Sequence, residues 1–339
     1  MDPVGKPQET DPLELTLRPK KLAEYIGQQQ IKEHLLVHLA AARGRKEPLG
    51  HTLLHGPPGL GKTTLAYVIA HEMGAQVRVT SGPAIEKAGD VASLLTNLEA
   101  GDILFIDEIH RLRPQIEEVL YAAMEDCVLD IMIGKGPTAR SVRLTLQPFT
   151  LIGATTKAGS MSAPLRDRFL HSFKLSFYEL PDLQCIVERS AHILGVALEP
   201  RAAHLLAQAS RATPRICNRL VRAARDFAQV RAAHAIAEET VKETLDTLQV
   251  DGDGLDATDR RLLQVLTGQC GGGPVGLSTL AAILAEEEET IESVTEPYLM
   301  QQGLLMRTPK GRVATMRAFE KLNIAPPRTL QAEMFVHEG

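Results

Sequence analysis

The stretch GPPGLGKT, residues 56–63, constrains the fold of this chain more than any other segment. It fits the pattern G-x-x-x-x-G-K-[ST], follows the apolar run TLLH and precedes the helical pattern TTLAYVIAHEM. In a strand–loop–helix unit of this kind, the glycines let backbone N–H groups surround phosphate oxygens, and the helix N-terminus favours negative charge. A chance glycine-rich turn would not need both flanking elements. The segment therefore predicts a phosphate-binding loop in an α/β sheet.

Further apolar runs extend this sheet. QVRVTS (76–81), DILFIDE (102–108) and FTLIGATT (149–156) alternate with helical stretches between Leu17 and about Tyr178. Continuous apolar strands separated by helices are typical of a parallel sheet that helices cover on both faces. We therefore predict a large α/β domain over residues 1–178.

The residues around the loop indicate how phosphate would be handled. Lys62 would reach the β- and γ-phosphates of a nucleotide, and the Thr63 hydroxyl would ligate Mg²⁺. Asp107 and Glu108 follow a buried apolar run, at the carboxyl end of a strand, where ligands bind in open α/β sheets. Asp107 would hold Mg²⁺ through water, and Glu108 would align and polarise an attacking water. The sequence therefore predicts that a nucleotide with β- and γ-phosphates binds here together with Mg²⁺.

The segment GATT, residues 153–156, ends another predicted strand. Either Thr155 or Thr156 would then lie beside the γ-phosphate. Threonine is also common in strands because its branched side chain suits them. The pattern alone therefore leaves open whether a functional hydroxyl or an ordinary strand residue stands here.

The segment VLDIMIGKGPTARSVRLTL, residues 128–146, interrupts the alternation of strands and helices. Two alternating stretches flank a turn with glycine and proline, which predicts a β-hairpin inserted into the large domain. Its apolar side chains, Ile131 and Met132 among them, would be either buried locally or in contact with a partner. An isolated two-stranded hairpin is only marginally stable in water, so both alternatives stay open.

The rest of the chain divides into two further predicted domains. Residues 179–250 are rich in alanine and leucine at helical spacing and show no strand pattern, which predicts a small helical domain. The stretch DGDGLD, residues 251–256, is typical of a linker. After it, helices, a GGGPVG turn and two short strands around TPKGR predict a winged-helix domain over residues 251–339.

Charge and hydropathy narrow the function classes. The formal net charge is −5, so a nucleic-acid surface must come from local segregation of charge. A group of positively charged residues lies around the TPKGR turn: Arg307, Lys310, Arg312 and Arg317. These side chains would contact DNA phosphates without reading the base sequence. An ordinary solvated turn has the same composition, so this alternative stays open. No signal peptide opens the chain, and no apolar run approaches the ~20 residues that span a membrane. These features predict a cytoplasmic protein without a membrane partner.

Five segments, in this order, resemble AAA+ ATPases: the phosphate loop, DEIHRL, GATTKAG, PLRDRF and ATPRICNRL. A closer resemblance is to the RuvB family of bacterial Holliday-junction branch-migration motors, carried by LRPKKLAEYIGQ, LDIMIGKGPTARS, GGGPVGLSTLAA and RTPKGRVAT. It extends from about Leu17 to Leu322 and includes segments that other AAA+ proteins lack. The implied fold is a P-loop AAA+ parallel sheet, followed by a helical lid domain over residues 179–250 and a C-terminal winged helix.

The resemblance also implies roles for individual residues. Asp107 and Glu108 would be the Walker B pair, Thr156 the first sensor of the γ-phosphate, and Arg215 the second sensor, on the lid. The remaining positions that it places around the nucleotide are Leu17, Arg18, Gly59, Gly61, Lys62, Thr63, Thr64, Glu125, Asp126, Cys127 and Tyr178. Four residues differ from the usual family pattern without removing a catalytic group: Lys157, Ala163, Leu170 and Thr295.

PLRDRF, residues 164–169, carries two arginines about a hundred residues after the phosphate loop. The resemblance implies that Arg168 is an arginine finger supplied to the nucleotide of a neighbouring subunit, with Arg166 as a supporting interface charge. Such a finger accelerates phosphoryl transfer by about 10³–10⁵. Alternatively, both are surface arginines that pair with Asp167 and other acids. The first interpretation makes the active site complete only in an oligomer.

The function that the resemblance implies is an ATP-driven homohexameric ring that translocates on double-stranded DNA and drives branch migration of Holliday junctions. The hairpin 128–146 would dock on RuvA, and RuvC resolvase would join the same complex. Arg307 and Arg312 would be the first DNA contacts, with Lys310 beside them. Two alternative functions stay open. The first is an initiator-like or clamp-loader-like AAA+ switch, and the second is a nucleotide-gated DNA-binding scaffold with negligible ATP turnover.

Overall fold

The computed structural model describes residues 12–133 and 140–327 of the chain. The chain divides into two compact units, Met1–Asp182 and Leu183–Gly339. The first unit contains the predicted α/β domain, and the second contains the predicted helical and winged-helix domains. In the described ranges, no helix is both long enough and apolar enough to cross a membrane.

The first unit is built on a parallel sheet. The strands in its described part are β1 (Thr52–His55), β2 (Val77–Ser81), β3 (Ile103–Asp107), β4 (Val128–Ile133), β5 (Arg140–Thr145), β6 (Thr150–Thr155) and β7 (His171–Lys174). Five of them pair in parallel in the order β2-β3-β6-β1-β7. All four apolar runs are therefore strands of one sheet, as predicted, whereas β7 was missed because its sequence, HSFK, is mostly polar.

Burial differs between the centre and the edges of this sheet. Apart from the half-buried last residues of β1 and β3, all residues of β1, β3 and β6 are buried, whereas β2 at one edge is half exposed. The helices of the first unit are α1 (Pro12–Leu17), α2 (Gln29–Arg45), α3 (Lys62–Met73), α4 (Ala88–Thr96), α5 (Pro114–Asp126) and α6 (Ala163–Asp167). A shared apolar core joins α4 and α5 to the sheet through residues such as Leu95, Leu120, Leu104 and Ile106. This core holds β1, β3 and β6 so that their carboxyl ends lie side by side at the same end of the sheet.

The predicted hairpin is present as β4 and β5, which pair antiparallel from Val128 opposite Thr145 to Ile133 opposite Arg140. Its base is anchored in the domain core by Leu129 and Leu146, which are 1% and 5% exposed. Further out, Arg143 donates two hydrogen bonds of 2.9 Å to the opposite Asp130. Residues 134–139 and the side chains of Ile131 and Met132, for which local burial or a partner contact was predicted, lie outside the described residues.

The second unit begins with a helical domain. Its elements are α7 (Leu180–Ile193), β8 (Ala197–Leu198), α8 (Pro200–Gln208), α9 (Pro214–Val230), β9 (Ala235–Ile236) and α10 (Glu238–Thr247). The helices were predicted, but the two-residue parallel pairing of β8 with β9 was not. Two residues are too few to leave an alternating pattern in the sequence.

A winged helix completes the second unit. Its elements are α11 (Ala257–Gln264), α12 (Leu277–Leu284), α13 (Glu288–Thr290), α14 (Glu296–Gln301), β10 (Leu305–Thr308), β11 (Gly311–Ala314) and α15 (Met316–Lys321). β10 and β11 form the predicted antiparallel wing, with Arg307 opposite Arg312. A separate apolar core, which includes Leu262, Leu266, Leu280, Leu299 and Phe319, holds the helices to the wing.

Candidate functional site

The phosphate loop connects β1 to the first turn of α3. Gly56 and Gly61 have φ angles of 139° and 94°, which glycine tolerates better than other residues. A Cβ atom at Gly56 would also lie 2.4 Å from the carbonyl oxygen of Leu175. Lys62 is 8% exposed, and its Nζ donates hydrogen bonds of 2.8 Å to the carbonyls of Gly56 and Pro57. The lysine therefore lies over the loop that is predicted to bind phosphate.

Two tyrosines support the loop from behind. The Tyr25 and Tyr178 hydroxyl oxygens lie 3.4 and 3.3 Å from the carbonyl oxygen of Leu60, within hydrogen-bond distance, and 3.2 Å from each other. Burial raises the pKa of Tyr178 to about 12 and that of Tyr25 above its usual value, so both hydroxyls stay protonated. The predicted site residue Tyr178 thus contacts the loop itself. Tyr25 was missed because a lone tyrosine in LAEYIGQ carries no pattern.

Several further residues predicted around the nucleotide lie in the phosphate loop, in the first turn of α3 or beside α3, and Leu17 is buried at the end of α1. Leu17 is 1% exposed, and the Arg18 guanidinium lies 5.8 Å from the centre of the Tyr67 ring on α3. Thr63 and Thr64 are half-buried in the first helical turn, directly after Lys62. Gly59, with a φ of 80°, lies in the loop that precedes this turn. Hydroxyl groups, an ammonium group and a helix N-terminus converge here, which is the donor set that a Mg²⁺–nucleotide needs.

Asp107 and Glu108 lie at the end of β3. The Glu108 backbone has a φ of 48°, and its N–H donates to the Asp107 carboxylate at 2.9 Å. The Glu108 carboxylate forms an ion pair of 3.1 Å with Arg111, and about half of each side chain is exposed. Gly82 packs behind this turn, where a Cβ atom would lie 2.4 Å from the Glu108 carbonyl oxygen. Both carboxylates are thus held near the carboxyl end of the central sheet.

The two threonines of GATT have different environments. Thr155 is 1% exposed, its Oγ1 lies 2.9 Å from His110 Nδ1, and it accepts a hydrogen bond from the Lys157 N–H. Thr156 follows β6 and is half-buried. The Gly56 N–H donates to the Thr155 carbonyl at 3.2 Å, so this strand end adjoins the phosphate loop. Because the Thr155 hydroxyl has two local partners, Thr156 is the better candidate for contact with a ligand.

Arg168 belongs to a group that we call the finger cluster, formed with Tyr121 and Glu125. Its guanidinium donates to the Glu125 carboxylate at 3.0 Å and to the Pro164 carbonyl at 2.8 Å, and it lies 4.4 Å from the centre of the Tyr121 ring. The Arg168 Nε–H is buried and has no hydrogen-bond acceptor, although buried polar groups normally have one. Arg166, in contrast, lies 3.9 Å from its neighbour Asp167 and is half exposed. Both arginines were predicted from the sequence, but the contact of Arg168 with the Tyr121 ring was not.

The segment 125–127 ends α5. Glu125 and Asp126 are exposed, and Cys127 adopts a left-handed φ of 51° before the chain enters β4. His51 holds Met124, the residue before Glu125, because its Nε2 lies 3.0 Å from the Met124 carbonyl oxygen. Its Nδ1 accepts a hydrogen bond from the Leu151 N–H at 2.8 Å. Burial lowers the pKa of His51, so the ring is neutral and Nε2 is the donor. The structure therefore joins the predicted residue Glu125 to the finger cluster.

Two sets of predicted residues lie in the second unit. Arg215 is exposed in the first turn of α9, which starts at Pro214. In the wing, Arg307 is exposed and forms an ion pair with Glu292, while Lys310 is exposed at the turn between β10 and β11. Arg317 is exposed at the start of α15. Arg307, Lys310 and Arg317 therefore form a group of exposed positive side chains in the winged helix, although the net charge of the chain is negative.

Arg312 differs from its neighbours in the wing. It is 8% exposed, and its Nε donates to the carboxylate of Glu296 at 2.7 Å. Glu296 itself is 1% exposed, and no local pattern in the sequence predicts a pairing across sixteen residues. Arg312 also exchanges backbone hydrogen bonds of 2.7 and 2.9 Å with Val275. The expected exposed cation at this position is therefore a buried one, because the wing folds its side chain onto α14.

Three profiles of RuvB domains match consecutive parts of the chain. The RuvB P-loop domain of Holliday junction DNA helicases matches residues 17–175, the RuvB AAA lid domain matches 178–251, and the RuvB C-terminal winged-helix domain matches 252–323. The matched domains follow the order of the ATPase, lid and winged-helix elements described above.

Solved structures give the same result. The Thermotoga maritima RuvB Holliday junction branch migration motor is 46% identical, with a TM-score of 0.84 over 92% of this chain and 100% of that chain. A lysine-to-arginine mutant of the same protein is 47% identical, with a TM-score of 0.85 over 92% of this chain and 99% of that chain. A proline-to-glycine mutant is 47% identical, with a TM-score of 0.86 over 91% and 100%. Together with the phosphate-loop geometry, these matches show that the chain belongs to the RuvB family of AAA+ ATPases.

Proposed function

We propose that this protein is an ATP-driven motor that assembles as a homohexameric ring, translocates on double-stranded DNA and drives branch migration of Holliday junctions together with RuvA. The observation that carries this proposal is the convergence of Lys62, Glu108 and Thr156 along one edge of the sheet, in a chain that continues into a RuvB-type lid and winged helix. We further propose that RuvC resolvase joins the complex and that the motor acts in the cytoplasm. The domain boundaries proposed from the sequence are 178/179 and 250/251.

The residues divide the work of ATP hydrolysis among them. Lys62 and the N–H groups of the phosphate loop bind and orient the β- and γ-phosphates, and Leu17, Arg18 and Tyr178 position the rest of the nucleotide. Thr63 and Asp107 would hold Mg²⁺, which would neutralise phosphate charge. Glu108 accepts a hydrogen bond from the attacking water and turns its oxygen toward the γ-phosphorus. Thr156 and Arg215 contact the γ-phosphate from the sheet and from the lid.

The active site is completed by a neighbouring subunit. Support comes from the finger cluster, in which Arg168 is held by the half-exposed carboxylate of Glu125 and retains an N–H without an acceptor. An arginine in an exposed ion pair exchanges one anionic partner for another at little cost. We therefore place Arg168 on the γ-phosphate of the adjacent subunit, with Glu125, Asp126 and Cys127 beside that nucleotide and Arg166 as a supporting charge.

DNA is bound through its phosphates. Arg307 and Lys310 form the proposed contact surface, and the buried Arg312 holds the wing to α14 beneath them. Contacts of this kind give little sequence preference and a strong dependence on salt. We expect Arg307→Ala and Lys310→Ala each to weaken binding similarly on unrelated duplexes and to lower the slope of log K against log salt by about one. An effect confined to one sequence would contradict phosphate binding.

A synthetic four-way junction with ATP, Mg²⁺ and RuvA tests the motor. We expect strand exchange by the natural chain and none by Glu108→Gln, with DNA-stimulated ATPase lost in the same variant. Glu99→Gln, an exposed glutamate in the same unit, is the matched control. No strand exchange by the natural chain would favour an initiator-like or clamp-loader-like switch. ATPase that is neither stimulated by DNA nor reduced by Glu108→Gln would favour a nucleotide-gated scaffold.

A further inference from the structure

The predicted linker DGDGLD is an ordered part of the second unit rather than a free connection. The Asp251 carboxylate accepts hydrogen bonds from the N–H groups of Asp253 and Leu255 at 3.0 and 2.8 Å. Gly254 has a φ of 78°, and a Cβ atom there would lie 2.7 Å from the Ala209 carbonyl oxygen. The loop therefore lies directly against the helical lid, and the lid and the winged helix share a packed joint.

Arg211 of the lid reaches across this joint into a group that we call the joint cluster: Arg211, Asp256, Asp259 and Tyr298. The guanidinium donates to Asp259 at 2.5 and 3.2 Å and to Asp256 at 3.1 Å. It also lies 4.8 Å from the centre of the Tyr298 ring and 3.4 Å from the carbonyl oxygen of Val294. One side chain of the lid thus contacts two separate segments of the winged helix, the start of α11 and the helical stretch that contains Val294 and Tyr298.

The pair of Arg211 and Asp259 at the centre of the joint cluster is buried, whereas Asp256 at its rim is 43% exposed. The Arg211 side chain is 11% exposed and that of Asp259 is 1% exposed. Asp256 and Asp259 also cap α11, because each carboxylate accepts the backbone N–H of the other residue at 2.9 to 3.0 Å. Removing one partner of a buried ion pair leaves an uncompensated charge, so such pairs do not open readily. Arg211 therefore holds the beginning of the winged helix in one arrangement with the lid.

The backbone connects this arginine to the proposed sensor of the γ-phosphate. Arg211 and Ala212 have consecutive left-handed φ angles of 54° and 53°, which are uncommon for residues with a Cβ atom. The next residues, Thr213 and Pro214, cap and start α9, whose first turn contains Arg215. Arg211 and Arg215 are thus four residues apart at the two sides of one fixed turn. A displacement of the turn would move both side chains together.

We propose that Arg211 is a positioning residue that fixes the winged helix to the lid, so that movement of the lid at Arg215 is transmitted to the DNA-binding wing. The proposal rests on the proposed function, because it takes Arg215 to contact nucleotide and the wing to contact DNA. Arg211 itself contacts neither ligand. Its loss should therefore separate ATP hydrolysis from DNA movement without abolishing either binding step.

Kinetics provide the first test. In full-length Arg211→Ala we expect ATPase without DNA and duplex affinity to stay within about twofold of the natural chain, whereas the stimulation of ATPase by DNA and the rate of junction migration fall at least about tenfold. Arg201→Ala is the matched control, because Arg201 forms an exposed ion pair with Glu238 within the lid. If thermal unfolding shows that Arg211→Ala does not fold, Asp259→Asn removes the charged partner and keeps a similar shape.

A distance measurement tests the joint directly. Spin labels are placed on Cys185, which is exposed in the lid, and on an Ile283→Cys substitution in the winged helix, with Cys127 and Cys270 replaced by alanine. Cys217 is fully buried and stays unlabelled. We expect a narrow distance distribution in the Arg211 protein and in the Arg201→Ala control, and a broad one in Arg211→Ala.

The two measurements separate the possible failures. An unchanged narrow distribution in Arg211→Ala would overturn the proposal, because the arginine would not fix the joint. A broad distribution with undiminished stimulation and migration would also overturn it, because the fixed arrangement would not be used. If the natural chain moved no junctions, the proposed function would fail, and the width of the distance distribution would still decide whether Arg211 holds the joint.

Discussion

The finger cluster of the first unit and the joint cluster of the second unit each hold an arginine between a carboxylate and a tyrosine ring, but the carboxylates differ in exposure. The Glu125 side chain, which pairs with Arg168, is 55% exposed, whereas that of Asp259, which pairs with Arg211, is 1% exposed. An exposed ion pair contributes about 0–1 kcal/mol, while breaking a buried one costs about 3–5 kcal/mol. The same residue types therefore make an exchangeable contact in one place and a fixed one in the other.

The largest expected effect is on the exchangeable side of this comparison. Arg168→Ala should lower the ATPase rate about 10³-fold or more, because the developing charge on the γ-phosphate loses its cation. The free energy of unfolding should change by no more than about 1 kcal/mol. Steady-state ATPase and urea denaturation of the same preparation measure the two quantities.

Mixed subunits show whether Arg168 acts in trans. Arg168→Ala subunits and Lys62→Ala subunits are each inactive in this scheme, but a mixed ring contains some interfaces with an intact Lys62 and an intact Arg168. We expect ATPase to recover in part on mixing and to reach a maximum at intermediate ratios. If mixing restores nothing although both variants assemble into rings, Arg168 does not act on a neighbouring subunit.

The second prediction concerns the fixed side. Arg211→Ala should lower the free energy of unfolding of the second unit by about 3–5 kcal/mol, because Asp259 would stay buried without its partner. Arg201→Ala should change it by about 0–1 kcal/mol. Urea denaturation of the full chain, followed by hydrogen exchange in α11, provides the measurement. Equal effects in the two variants would remove the distinction between the clusters.

The contrast between the clusters also explains what the sequence could predict. The phosphate loop, Asp107 with Glu108, and the wing were predicted because each depends on neighbouring residues in a fixed local pattern. The pairings of Arg168 with Tyr121 and of Arg312 with Glu296 depend on how distant elements pack, and no local pattern records them. The sequence therefore supplied the arginines, while only the fold shows which of them are buried.

The linker and the edge strand illustrate the same limit. DGDGLD has the composition of a flexible connection, yet Gly254 is required there by close packing on Ala209 rather than by flexibility. HSFK at β7 lacks an apolar run because an edge strand needs only one buried side chain, that of Phe173. The composition of a segment indicates the environment in which such residues usually lie. DGDGLD and HSFK lie in environments that are unusual for their compositions, a packed loop and an edge strand.

The third prediction uses pH to weaken the fixed side. Burial raises the pKa of Asp259 from 3.8 to about 6, and the nearby Arg211 charge opposes this increase. Between pH 4 and 6 the folded protein therefore binds more protons at Asp259 than the unfolded chain does, and the stability contributed by this group is lost as pH rises through about 6. The free energy of unfolding of the natural chain, relative to Asp259→Asn, should fall over this range.

Arg211 provides the control for that titration. Because Asp259 is largely neutral at pH 5 and charged at pH 7.5, Arg211→Ala should cost less stability at pH 5 than at pH 7.5. Denaturation curves at the two pH values measure the difference. A cost that does not change with pH would mean that Asp259 stays in one protonation state, and the joint cluster would then be insensitive to pH.

The smallest expected effect tests the ring under the exchangeable arginine. Tyr121 lies beneath the Arg168 guanidinium, and its hydroxyl donates to Glu117 at 3.0 Å. A cation–π contact at an exposed site contributes about 0.5–1 kcal/mol. Tyr121→Leu should therefore reduce the maximal ATPase rate roughly two- to fivefold, with little change in the KM for ATP, because a finger that is less well oriented affects the chemical step in the neighbouring subunit. Tyr121→Phe keeps the ring and should retain nearly the full rate, whereas an equal loss in both variants would assign the effect to the Glu117 hydrogen bond instead of the ring.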